Sequence, residues 1–209
     1  MGSIITTSKR FEPGTTGWTA DDLDDPHIEA QWERGRYEII EGVLTTMPAA
    51  YFEGGEATEN LIFAVKTHLR PKGIRGGFAT EVDLIIDAAR LVRADAVYLT
   101  PDDKRRQRAA AAAAGRPDSR RTRILVAPTL VIESISPGHE LHDEQTKRRW
   151  YAEFGVAHYW LMNCFDRTLR CLARRGTDYI EDVAGPDSDS VRPSAFPGLV
   201  IPLGDVWEE

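Results

Sequence analysis

The run Thr129-Leu130-Val131-Ile132-Glu133-Ser134-Ile135 constrains the fold of this chain more than any other stretch. Its apolar residues occupy consecutive positions, the pattern of a central strand covered on both faces rather than of an edge strand with one wet side. Such a strand requires a sheet with helices packed against it. One position breaks the run. Glu133 lies between Leu130-Val131-Ile132 and Ile135, and burying its carboxylate is costly unless it is paired or bound to a metal. Glu133 is therefore the first candidate for chemistry.

The elements around that strand suit an α/β fold with a mixed sheet. Residues 1–20 show no helical or strand period and read as an N-terminal arm. Residues 21–34 follow Thr19 with Asp21, Asp22, Asp24 and Asp25 in the first turn, where a helix dipole favours negative charge, and read as a short helix broken near Pro26. Tyr37–Ile40 and Val43–Met47 flank Glu41-Gly42 as a hairpin. Ala57–Leu69 places Leu61, Ile62, Val65 and Leu69 at helical spacing. Strands follow at Phe78–Ile86, Leu91–Thr100 and Pro128–Ser136, then a helix over 140–154 closed by Gly155. Shorter strands come at His158–Asn163, Thr168–Arg174 and Tyr179–Val183. Residues 185–209, rich in Pro, Asp and Ser, read as a C-terminal tail, which leaves one domain over residues 21–184.

Residues 101–123 form a composition break between two of these strands. They are centred on Ala109–Ala114 and read as a mobile insertion with a helical alanine segment. Lys104, Arg105, Arg106, Arg108, Arg116, Arg120, Arg121 and Arg123 make this segment basic. The whole chain of 209 residues has a formal charge of −7, which by itself argues against an electrostatic nucleic-acid binder. From Lys104 to Arg123, however, the charge is +7, leaving −14 elsewhere. A polyanion would meet the chain at Lys104, Arg105, Arg106, Arg108, Arg120, Arg121 and Arg123.

Apolar content of 42% and charged content of 28% exclude collagen-like, coiled-coil and disordered chains. No run approaches the length of a membrane helix. Cys164 and Cys171 are too few for a disulfide framework, so reduced thiols and a cytoplasmic location are expected. Gly2 with Thr6 fits the short myristoylation pattern, which recurs by chance. His139 and His142 lack the spacing of a zinc-protease helix, and there is neither a Gly-Lys-Ser/Thr phosphate loop nor a G-x-S-x-G elbow.

Two further acids interrupt apolar strands, Glu81 in Thr80-Glu81-Val82-Asp83 and Asp95 in Arg93-Ala94-Asp95-Ala96. Clustered carboxylates on adjacent strands make a hard-oxygen site suited to magnesium or manganese. The bland readings are a solvent-facing Glu81 and an acid paired with Arg93. Lys147 shares a helix face with Trp150, Tyr151 and Phe154, which points it toward the core, where it could contact a scissile phosphate. A surface pair between Asp143 and Lys147 is the bland reading there.

The pieces Tyr37-Glu38-Ile39-Ile40-Glu41-Gly42, Met47-Pro48-Ala49, Thr80-Glu81-Val82-Asp83-Leu84 and Val92-Arg93-Ala94-Asp95 resemble one known family, and later pieces continue the match in order. These are Val131-Ile132-Glu133-Ser134-Ile135-Ser136-Pro137, Asp143-x-x-x-Lys147-x-x-x-Tyr151 and Gly155-Val156-Ala157-His158-Tyr159-Trp160-Leu161. The family is that of the "putative restriction endonucleases" within the PD-(D/E)xK nuclease superfamily, which is abundant in bacteria. The resemblance implies a restriction-endonuclease-like core and magnesium- or manganese-dependent hydrolysis of DNA phosphodiesters. Asp95 and Glu133 would be metal ligands, Glu81 a further acidic member of the catalytic set and Lys147 the catalytic lysine, displaced from the strand position that is Ile135 here. Homodimers are common among such enzymes, though no interface signal is visible. The sequence departs from the family at Ala94, where a proline is usual. It departs again at Ala50–Leu61, where Glu53, Glu56 and Glu59 stand in the region of a usual histidine. The rival expectation is a catalytically inactive nucleic-acid-binding or regulatory protein on the same fold.

Overall fold

Glu41 and Gly42 both take left-handed backbone angles, φ 49° and 78°. That is the two-residue turn whose twist matches flanking antiparallel strands, and it joins β1 (Tyr37–Ile40) to β2 (Val43–Thr46). The computed structural model describes residues 9–49, 51–115, 123–135 and 142–207, without the side chains of His142 and Asp143. Among these the remaining strands are β3 (Gly77–Asp87), β4 (Arg90–Leu99), β5 (Leu130–Ser134), β6 (His158–Asn163), β7 (Thr168–Arg175), β8 (Asp178–Pro186), β9 (Ser190–Val191) and β10 (Ile201–Pro202). The helices are α1 (Pro26–Trp32), α2 (Phe52–Leu69), α3 (Pro101–Ala113) and α4 (Arg148–Phe154). α4 is preceded by a π-helical turn, His142–Lys147.

The large sheet runs β2-β1-β4-β5-β6-β7-β8, with β3 on the other edge of β4. Its β5–β6 pair is parallel and its other pairs are antiparallel, so the sheet is mixed as expected. β5 is central and covered on both faces. Leu130 and Ile132 join a core with Leu61 and Val65 of α2, while Val131 joins a second core with Trp150 and Tyr151 of α4. Gly155, at φ 101°, ends α4 in the left-handed conformation that glycine adopts at low cost.

Several stretches refine or differ from the sequence expectation. The acidic segment is two helices, a 3-10 turn Ala20–Asp24 capped by Thr19 and then α1, whose Pro26 takes the first position. The expected mobile insertion begins as a regular helix: Thr100 accepts from the Asp103 N–H and Asp103 accepts in return from the Thr100 N–H, a capping box that starts α3 at Pro101. Residues 116–122, with Arg116, Arg120 and Arg121, lie outside the described residues.

The described parts of the expected arm and tail are both packed. Trp18 and Ala20 lie in a core with Trp32, Ile39 and Leu91. Val191, Phe196, Leu199, Ile201, Leu203, Val206 and Trp207 close over the α2 face of the sheet, and the Asn60 side chain on α2 donates to the Val206 carbonyl. Apolar burial in these segments outweighs their weak local pattern.

Candidate active site

β4 offers one edge to two different strands. β1 meets it at Ile39 opposite Leu91, and β5 meets it from Ala96 to Tyr98. Between these contacts β1 and β5 diverge, and side chains replace the backbone ladder. The Arg93 N–H donates to Glu38 Oε1 at 3.2 Å and the Asp95 N–H to Glu133 Oε2 at 3.4 Å. The fork in the sheet thus gives two carboxylates a buried place with donors already present, which offsets part of their desolvation cost.

Registers across the sheet bring the expected acids together. Extending the Ala96–Ile132 pairing by one residue sets Asp95 opposite Glu133, and the Thr80–Ala96 and Val82–Ala94 pairs bracket Glu81 opposite Asp95. The row Glu81, Asp95, Glu133 therefore crosses β3, β4 and β5. Asp95 Oδ2 accepts from the Ser134 N–H at 2.7 Å. Glu81 is the exposed member; its φ of 49° is left-handed, and Arg36 Nη1 holds its carboxylate at 2.7 Å while Nη2 reaches Asp95 Oδ1 at 3.8 Å.

Lys147 enters from the opposite side of the fork. The π turn ends on it, and its Nζ lies 3.1 Å from Glu38 Oε1 and 3.4 Å from Glu133 Oε1, with the residue 3% exposed. Lys147 faces inward, so a surface pair does not describe it; Arg93 does pair with a buried acid, but that acid is Asp83, at 2.7 Å, and neither Asp95 nor Glu133. One turn further on, the Tyr151 hydroxyl donates to Glu133 Oε1 at 2.6 Å.

Electrostatics follow from burial. Desolvation raises the Asp95 carboxyl to about 6; the Glu81 charge adds to the rise, while the Ser134 N–H, Lys147 and Arg36 oppose it. Burial and the adjoining Glu133 charge hold the Tyr151 hydroxyl well above its ordinary value, so it stays a donor. Among the described residues no three His, Cys, Asp or Glu side chains gather closely enough to hold a cation alone. Asp95 and Glu133 nevertheless fit magnesium in kind, because that ion is bound through one or two carboxylates and keeps waters or a substrate phosphate as its other ligands.

These groups line the floor of a cavity of about 710 Å³. The N-terminal turn of α2 forms one wall, where Gly54 permits close approach: a Cβ there would stand 2.6 Å from Ser134 Oγ. Glu53 and Glu59, from the first turns of α2, also line the cavity.

Glu38, Tyr151 and Arg36 were not singled out from the sequence. Glu38 carried the same signal as Glu133, a carboxylate beside apolar strand residues, here Ile39 and Ile40. The expected nucleic-acid contacts fare differently. None of Lys104, Arg105, Arg106, Arg108 or Arg123 lines the cavity. Arg105 and Arg106 pair with Asp102 and Asp103 on their own helix, while Arg108 is exposed. Arg123 requires a correction: it is 7% exposed and lies 3.5 Å from both Glu29 and Asp83, so it braces the interior and presents no charge to a polyanion.

A mixed sheet with an acidic row and an inward lysine at its fork defines the class as restriction-endonuclease-like. The model of the family described as "Putative restriction endonuclease" matches residues 27–204, and the chain belongs to that family. It is also similar in fold to the crystal structure of a putative nuclease belonging to DUF820 from Anabaena variabilis, at 16% identity and a TM-score of 0.61 over 83% of this chain and 90% of that one. No curated protein matches. No helix among the described residues is long and apolar enough to cross a membrane.

Proposed function

We propose that the chain is a metal-dependent endonuclease that hydrolyses phosphodiester bonds of DNA. One observation carries this reading: Asp95 and Glu133 face each other on adjacent strands while Lys147, from a distant helix, reaches the same carboxylate. Asp95 and Glu133 would hold magnesium or manganese, which when bound stabilises charge on the phosphate and lowers the pKa of water. Lys147, held between Glu38 and Glu133, orients the attacking water or the phosphate oxygen it meets. Tyr151 fixes the rotamer of Glu133, and Arg36 fixes Glu81 beside Asp95.

The test incubates the protein with plasmid and single-stranded DNA in magnesium or manganese, beside Glu133→Ala and Lys147→Ala variants. Metal-dependent cleavage lost in both variants supports the reading. Salt-sensitive binding without cleavage would replace it with the inactive nucleic-acid binder.

A further inference from the structure

We infer that the cavity accepts an unpaired stretch of DNA, held by stacking of a base on an aromatic rim formed by Tyr51 and Phe165. This rests on the proposed nuclease reading and names the form of its substrate. Depth is the first argument. Glu38, Glu133 and Lys147 on the floor are 2–3% exposed, whereas Tyr51 and Phe165, which line the same cavity, are 46% and 61% exposed. A cavity of about 710 Å³ is of the size that encloses a small organic ligand. A single strand can splay a nucleotide into such a space, while a duplex keeps its bases stacked inside.

The rim is already in place. Tyr51 and Phe165 come from elements far apart in the chain, yet their ring centroids are 5.6 Å apart with planes at 85°. An edge-to-face pair leaves ring faces that its partner does not cover, and base–aromatic stacking tolerates any sequence because every base has a π face. Both supports are ordered by local hydrogen bonds. Tyr51 is the N-cap of α2, its carbonyl accepting from the Gly55 N–H at 3.1 Å. Phe165 lies in the β6–β7 turn, where the Asn163 side chain accepts from the N–H groups of Phe165 and Asp166. Two exposed rings beside a polar floor offer a base a surface on which to stack.

Charge gives the second argument. Glu38, Glu53, Glu59, Glu81, Asp95 and Glu133 line the cavity against Arg36, Lys147 and Arg167. With carboxylates in excess, phosphate attraction by side chains is weak, so contacts that ignore charge must supply much of the hold. A duplex, recognised largely through its phosphates, gains little here.

The experiment measures anisotropy of a short labelled single strand and of the same sequence as a duplex. It uses Glu133→Gln protein in magnesium and the unaltered chain in chelator, and cleavage of both substrates is followed in parallel. The single strand is expected to bind about tenfold tighter than the duplex, with a shallow dependence on salt. Phe165→Ala and Tyr51→Ala should each weaken it about tenfold, while Tyr51→Phe binds as the unaltered chain does. Melting curves of these exposed-residue variants should be unchanged. Equal binding and cleavage of duplex and single strand, indifferent to both alanine changes, would overturn the inference and leave the nuclease reading standing. Rim-dependent binding without any cleavage would support the inference and remove the hydrolytic activity. Absence of single-strand binding would overturn it.

Discussion

Lys147 Nζ lies closer to Glu38 than to Glu133, 3.1 Å against 3.4 Å, although Glu38 sits on the first strand of the sheet and Lys147 at the end of a π-helical turn far along the chain. The lysine is thus a shared counter-ion for two buried carboxylates, and its loss has two separable effects.

Lys147→Ala should cost about 3–5 kcal/mol in denaturant unfolding, because two buried negative charges lose their cation. Adding Glu38→Gln removes one of those charges and should recover about 1–3 kcal/mol. Nuclease activity should stay lost in the double variant. Recovery of activity together with stability would mean that Lys147 is structural alone.

Asp95 provides a pH dependence whose sign is fixed by its raised pKa. The folded protein holds this proton to about pH 6, while the unfolded chain releases it near 3.8. The metal-free fold therefore loses stability from this group as pH rises from about 4 to 6, and the loss is complete above 6. Asp95→Asn, which cannot ionise, should be more stable than the parent at pH 7 by roughly 3 kcal/mol, with the gap closing toward pH 4. Unfolding at the two pH values in chelator checks this. Activity of Asp95→Asn should be abolished.

Tyr151→Phe removes one hydrogen bond to a charged, buried oxygen. A loss of about 1.5–3 kcal/mol in stability is expected. Activity should fall about 10–100-fold as Glu133 loses its fixed orientation. Titration with manganese should show weaker metal activation, not merely a lower plateau.

Arg123→Ala should act on the fold and leave nucleic-acid affinity unchanged. It leaves Asp83 and Glu29 short of a buried partner, and a melting curve should shift downward clearly. Arg108→Ala, on the exposed side of α3, should be neutral for stability.

What could be read from the sequence divides along local and long-range lines. β6 begins and ends where the strand expected at His158–Asn163 does, and the inward face of Lys147 follows from its spacing to Trp150 and Tyr151. Those signals live within one turn or one strand. Glu38 carries the signal of a carboxylate beside apolar residues, but a four-residue strand is too short to show that both its faces are covered, and the lysine that explains it lies on another element. The C-terminal stretch misled for the same reason. Its apolar residues Val191, Phe196, Leu199, Ile201 and Val206 follow no period and are separated by Pro, Gly and Asp, so only the surface of α2 and the sheet shows that they belong inside. The basic composition of 104–123 suggested one surface, but Arg123 at its end turns inward to Asp83.

The closing of the α2 face by Val206 and Trp207 bears on when this site can first exist. α2 supplies a wall of the cavity and is translated early, yet residues that follow every catalytic candidate in the chain cover its buried flank. A ribosome releasing the chain from the N-terminus exposes Glu38, Asp95, Glu133 and Lys147 in turn without the support that holds α2 in place. Assembly of a competent cavity is thus tied to the emergence of residues 191–207, and a nascent fragment lacking them carries the acids and the lysine without the cover that seats α2.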